Sequence, residues 1–179
     1  MRSYFNNGIL IAGCNALFTL ALYLGGFQTD LAKIELSASL SLSFSVALTT
    51  VVLVRSVRSR RILTPPTDPF PFGLALGIAT TISLVSAISW AVFQFIYLRF
   101  INTDYIAQVI EAKVTTMQAN GKSPAEIEVA RQSLTLTPAA YVAIEFLLGT
   151  AINVIISLII AAVMRRKAVE DLPASPSGL

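Results

Sequence analysis

Four apolar stretches, Gly8–Gly26, Leu36–Val54, Phe72–Ile101 and Pro138–Met164, divide this chain. At about 1.5 Å of helical rise per residue, each can cross the ~30 Å hydrocarbon core of a bilayer. A segment in lipid must satisfy its own backbone polar groups, which leaves helices or a closed barrel, and runs of this length select helices. Hydrophobic residues make up 55% of the 179 and charged residues 13%, and the charges collect between the stretches. The expected fold is all-α: an integral membrane four-helix bundle forming a single domain over residues 1–167, with a flexible C-terminal tail over 168–179.

Composition removes several function classes. The chain has no histidine and one cysteine, Cys14, which argues against histidine-ligated haem, the usual zinc sites, iron–sulfur clusters and internal disulfide exchange. No metal or cofactor is expected. The segments outside the spans are too short for a soluble catalytic domain, and no nucleotide-binding or hydrolase fingerprint occurs, so the chain is read as a non-enzyme. The basic residues lie in short juxtamembrane clusters, which suits anionic lipid headgroups rather than nucleic acid. Membrane lipids are the expected partners.

Charge placement sets an expected orientation. Arg2, Arg55, Arg58, Arg60, Arg61, Arg165, Arg166 and Lys167 fall on one side, against Lys33, Arg99, Lys113, Lys122 and Arg131 on the other. Basic residues near span ends favour the cytoplasmic face, so both termini and the Arg55–Arg61 loop are expected there, in a bacterial inner membrane. The start of the chain also fits a signal peptide, but Gly25-Gly26 makes a poor cleavage site and a retained first helix is preferred.

The connections carry readable punctuation. Serines at 37, 39, 41, 43 and 45 fall on two helical stripes, 37/41/45 and 39/43, and self-satisfied hydroxyls bonding the preceding turn are preferred to a polar lining. Thr64-Pro65-Pro66-Thr67-Asp68-Pro69 with Pro71 reads as a stiff, extended linker. Residues 104–134 read as an extracytoplasmic helical hairpin between the third and fourth spans. Asn102-Thr103-Asp104 offers caps for its first helix, Asn120-Gly121 stops that helix, and Ser123-Pro124-Ala125-Glu126 starts the second with a capping box. Thr137-Pro138 begins the fourth span in the same manner.

The order of these features resembles a known family. The motifs concerned are the Arg-rich turn after the second span, Phe72-Gly73-Leu74-Ala75-Leu76-Gly77 opening the third, the aromatic exit from Trp90 to Asn102, the hairpin, and a Glu145-bearing fourth span ending in Arg165-Arg166-Lys167. In these the chain is similar to the bacterial membrane proteins grouped as domain of unknown function 4199. Family members tend to carry a proline in the loop leaving the third span, where this chain has Asn102-Thr103-Asp104. The resemblance implies a four-span bacterial membrane protein and no particular activity.

Polar groups inside spans are costly and therefore candidates for function. Glu145 lies seven residues into the fourth span and Gln94 seven from the end of the third, both about 10 Å deep, with Arg99 above. A Glu145–Gln94 or Glu145–Arg99 contact is expected, and an Asn15–Asn153 hydrogen bond would join the first and fourth spans. Gly73, Gly77 and Gly149 are the expected helix-packing positions, and spans three and four or the hairpin would serve a homodimer or a protein partner. Cys14 reads as an inert packing residue. The function expected is that of an accessory or structural membrane component acting through helix packing and its hairpin. The alternative is a small oligomeric transporter or channel with Glu145 as its protonatable group.

Overall fold

A computed structural model describes residues 2–134 and 136–166. Lys167 and the tail over 168–179 lie outside the described residues. The elements in order are α1 (Arg2–Leu24), α2 (Ile34–Leu63), α3 (Phe72–Ile96) with a π-helical turn at Tyr97–Ile101, α4 (Tyr105–Ala119), α5 (Pro124–Leu134) and α6 (Pro138–Met164). Helices α1, α2, α3 with its π turn, and α6 are long and apolar enough to cross a membrane. The all-α membrane bundle expected from the sequence is the observed architecture.

Helix α3 packs most extensively, with α1 and α6 as its main neighbours, while α2 touches α1, α6 and α3 more sparingly. The Asn7 amide donates to Ser56 Oγ at 2.9 Å, joining the start of α1 to the end of α2. The end of α6 meets the α2–α3 linker through an antiparallel bridge between Phe70 and Arg166. Both ends of the described chain and the arginine cluster therefore share one end of the bundle, the basic end, and α4 and α5 mark the other, the hairpin end.

Local chemistry explains most of the boundaries. Gly26 and Gly121 adopt φ of 76° and 70°, a left-handed conformation that side chains with a Cβ resist. Each closes a Schellman stop: Phe27 N–H donates to the Leu22 carbonyl at 2.9 Å and Lys122 N–H to that of Met117 at 3.1 Å. The capping box forms as expected, with Glu126 N–H donating to Ser123 Oγ at 3.3 Å and Ser123 N–H to Glu126 Oε2 at 2.9 Å. Thr137 Oγ1 accepts from Ala140 N–H at 3.2 Å, with Pro138 in the first turn of α6.

Three boundaries differ from expectation. Arg55, Arg58, Arg60 and Arg61 stand on α2, which runs on to Leu63, rather than in a loop. Arginine is a good helix former, and cations are favoured near a helix C-terminus. Asp104 precedes α4 without a side-chain cap, and the Asn102 amide donates to Tyr97 Oη at 3.0 Å. The third span is not uniform helix: Asn102 N–H reaches back five residues to the Tyr97 carbonyl at 2.9 Å, the signature of a π turn.

Two separate cores hold the bundle. At the basic end Ile11, Leu53, Val57, Phe70, Ile78, Ile82 and Ile160 form a buried cluster contributed by all four spans and the linker. At the hairpin end Tyr97, Leu98 and Tyr105 are buried, with Tyr23, Phe93, Ile106 and Tyr141 packed against them. Between these clusters several inward positions are small: Ser41, Ser45 and Thr49 on α2, Ser86 and Ala87 on α3, and Gly149 on α6. Side chains of that size leave the bundle axis unfilled.

Candidate functional site

The unfilled region is a cavity of about 380 Å³, within the size range of small-molecule sites. Each span presents one helical stripe to it. Helix α6 supplies Tyr141, Glu145, Gly149 and Asn153, each four residues after the last. Helix α3 supplies Ser86, Trp90, Gln94 and Tyr97, α2 supplies Ser41, Ser45 and Thr49, and α1 supplies Asn15, Phe18 and Thr19. Repeats of three and four residues keep each set on one face, which is why groups distant in sequence share one space.

The hairpin end of the cavity is closed by a buried polar knot. Tyr97 Oη donates to Gln28 Oε1 from the α1–α2 connection and accepts from the Asn102 amide. Tyr97 is fully buried, and Gln28 and Asn102 are each 4% exposed. Tyr105 on α4 completes this cover, its ring edge-to-face with Tyr97 at 6.4 Å and with Tyr141 at 6.2 Å. Burial pushes the Tyr105 phenol above its ordinary pKa, the Glu145 charge adds to the rise, and contact with the Tyr141 hydroxyl opposes it. Tyr105 therefore stays a hydrogen-bond donor at neutral pH.

Access lies on one side. Among the lining residues the exposed ones are Ala38 and Leu42 on α2 and Leu148 on α6, so the cavity opens between these two helices. Leu42 is 54% and Leu148 62% exposed, which gives the opening an apolar rim.

Several expected site residues meet here with altered partners. Glu145 and Gln94 line the same cavity from facing helices, yet no hydrogen bond joins them. The polar neighbour of Glu145 is Tyr141, one turn earlier on α6, and the buried Gln94 Oε1 has no hydrogen-bond partner among the described residues. Arg99 is exposed on the π turn, does not line the cavity and makes no ion pair with Glu145; a long cationic side chain at a span end extends to water. Asn15 and Asn153 both line the cavity, but Asn15 Nδ2 donates to Ser45 Oγ at 3.3 Å instead. Helix α1 packs on α2 and α3, leaving α6 across the space.

Gly73, Gly77 and Gly149 are not close-approach positions within the chain, since a Cβ at any of them would meet no atom within 4 Å. Gly8 is: a Cβ there would lie 2.7 Å from Val85 Cβ and 2.8 Å from the Ile82 carbonyl oxygen. The serine stripes also divide. Ser39 and Ser43 face outward, Ser39 bonding the Glu35 carbonyl at 3.0 Å, whereas Ser41 and Ser45 line the cavity. Tyr97, Tyr105, Tyr141, Trp90 and Gln28 were not anticipated as site residues. Tyr141 was within reach, because it extends the Glu145–Gly149–Asn153 spacing by one turn. Among the described residues no group of three or more histidine, cysteine, aspartate or glutamate side chains is placed to hold a metal ion.

Four membrane-length helices around a carboxyl-bearing cavity define a multi-pass membrane protein. The family described as protein of unknown function DUF4199 matches residues 6–166, and the chain belongs to that family. No curated protein and no solved structure matches it.

Proposed function

We propose that this is a non-enzymatic protein of the bacterial inner membrane that admits small molecules to its intramembrane cavity, a small transporter in which Glu145 is the protonatable group. The observation that carries this reading is the placement of Glu145. Among the described residues it is the one carboxyl group in the lining, and no lysine or arginine shares that lining to neutralise it. A carboxyl group so placed must be balanced by a proton or by what enters the site. The facing titratable groups are Tyr141 on α6, Tyr105 on α4 and Tyr97 on α3, while α1 and α2 present amide, hydroxyl and apolar groups.

Both termini are cytoplasmic in this reading, because the clustered arginines lie at their end of the bundle. Ser59→Cys should then resist, and Ser123→Cys accept, an impermeant thiol reagent applied to spheroplasts. Gly73 and Gly77, exposed on α3, support a second copy of the chain as partner.

Cysteine accessibility tests the cavity. In a Cys14→Ala background, Ser41→Cys should react with a small membrane-permeant maleimide that can enter between α2 and α6, and Ser43→Cys, on the outward stripe in lipid where a thiol does not ionise, should not. An unreactive Ser41→Cys in folded protein means a dry, closed bundle and removes the reading.

The accessory role acting through the hairpin stands as a second reading. Helix α5 buries none of its side chains and leaves Val129 67% exposed. Crosslinking from Val129→Cys to one stoichiometric partner would favour it over transport.

A further inference from the structure

The cavity combines features that select a ligand by charge, and the selection rests on the reading of this space as a ligand site. The first is electrostatic. Glu145 faces the cavity with no cationic side chain among the described lining residues, so its ionised form repels an anionic ligand and gains from a cationic one, whereas a neutral ligand leaves the balancing to a proton. The second is a missing donor. Gln94 is 4% exposed and its side-chain oxygen has no hydrogen-bond partner among the described residues, a costly state for a buried acceptor. Gln94 and Glu145 each lie seven residues from the hairpin end of their spans, at a matching depth of about 10 Å. Two acceptors at one depth call for a group that brings both N–H donors and positive charge.

The walls agree. Trp90, Tyr97, Tyr105 and Tyr141 line the same space, and the faces of aromatic rings attract cations, most of all where water is excluded. An inorganic cation fits poorly, because hard cations take six or more oxygen ligands or keep their waters, and the site offers one carboxylate. The route in adds the final constraint. The rim of Leu42 and Leu148 faces the surroundings of the bundle between α2 and α6, which is the path of a molecule already dissolved in lipid.

We infer that the cavity takes a lipophilic ammonium ion. Its charged head is held between the Glu145 carboxylate and the Gln94 side-chain oxygen, and its apolar body lies against Trp90 and the tyrosine rings.

Trp90 is the single tryptophan of the chain and lines the cavity, so its emission reports the site directly. Three probes of similar shape separate the charge classes: 2-phenylethylammonium, 2-phenylethanol and 3-phenylpropionate. Titrated into purified protein in detergent micelles, the ammonium ion should change Trp90 emission saturably, with an affinity at least about tenfold above either analogue. Glu145→Gln should abolish that preference. The probe series on unaltered protein decides the matter even if the variant folds poorly. Equal or tighter binding of the alcohol or carboxylate, or a preference that survives in Glu145→Gln, overturns the ammonium assignment and leaves the cavity reading standing. If none of the three binds while Ser41→Cys is reactive, the assignment falls alone. If Ser41→Cys is also unreactive, the cavity reading falls with it.

Discussion

Phe70 and Arg166, almost a hundred residues apart in sequence, form a reciprocal backbone pair: Phe70 N–H donates to the Arg166 carbonyl at 2.9 Å, and Arg166 N–H to that of Phe70 at 2.8 Å. The Arg166 guanidinium then reaches the carbonyls of Thr64 and Pro65 at 3.2 and 2.6 Å and that of Asp68 at 2.9 Å. The linker is rich in proline, and each proline removes a backbone N–H that could otherwise serve as a donor here. One arginine fork supplies the missing donors and ties the end of α6 to the linker between α2 and α3.

Arg166→Ala should therefore lower stability in detergent by about 1.5–3 kcal/mol, the range for hydrogen bonds from a charged group. Arg166→Lys should recover only part, since an ammonium lacks the planar fork. Arg165→Ala, at an exposed neighbour, should change little. Equal melting temperatures for the Arg166 and Arg165 alanine variants would show that the clasp contributes no stability.

A second test concerns helix approach. Gly8→Ala forces a methyl group against Val85 and the Ile82 carbonyl and should cost about 1–3 kcal/mol. Gly13→Ala, on the same helix with nothing within 4 Å, should be neutral or slightly stabilising, because alanine is the better helix former. Thermal melts of the two variants side by side check both. A Gly8→Ala protein as stable as wild type would mean that α1 and α3 sit farther apart than described.

The hairpin carries its own pH dependence. The Ser123 backbone N–H, then its hydroxyl, then Lys122 hold the Glu126 carboxyl down at about 2, below its ordinary 4.5. The stabilisation of the α5 start is thus fully present above about pH 4.5 and is lost as pH falls through about 2. Amide exchange over residues 124–134 should stay slow relative to Glu126→Ala at neutral pH and converge with it in strong acid. Identical exchange in the two proteins at pH 7 would contradict the capping box.

Much of the frame was readable in the sequence because it depends on local chemistry. Span length follows from hydrophobic runs, and the stops at Gly26 and Gly121 and the caps at Ser123 and Thr137 depend on neighbours within five residues. The cavity depends on which faces meet. Ser37, Ser41 and Ser45 form one stripe and Ser39 and Ser43 the other, and nothing local says which turns inward. Gly73-x-x-x-Gly77 has the spacing of a packing motif but faces outward, whereas Gly8 lacks the motif and makes the close approach. The Arg166 clasp hid for the same reason: its cluster reads as an orientation signal, and the carbonyls it serves are a hundred residues away. Glu145 and Gln94 line one cavity, but the expectation of a direct contact between them did not allow for the small side chains that leave the space around them unfilled.

The central claim is that Glu145 lines a cavity where its proton can exchange, and infrared spectroscopy of the carboxyl carbonyl stretch tests it most directly. Difference spectra of protein in lipid particles, recorded between acid and alkaline buffer, should contain a protonated-carboxyl band that disappears as pH rises and is missing from Glu145→Gln. The same titration in Glu145→Gln and wild type, or a Glu145 band that no buffer removes, would mean that the carboxyl is sealed in the bundle and that the cavity is not a working site.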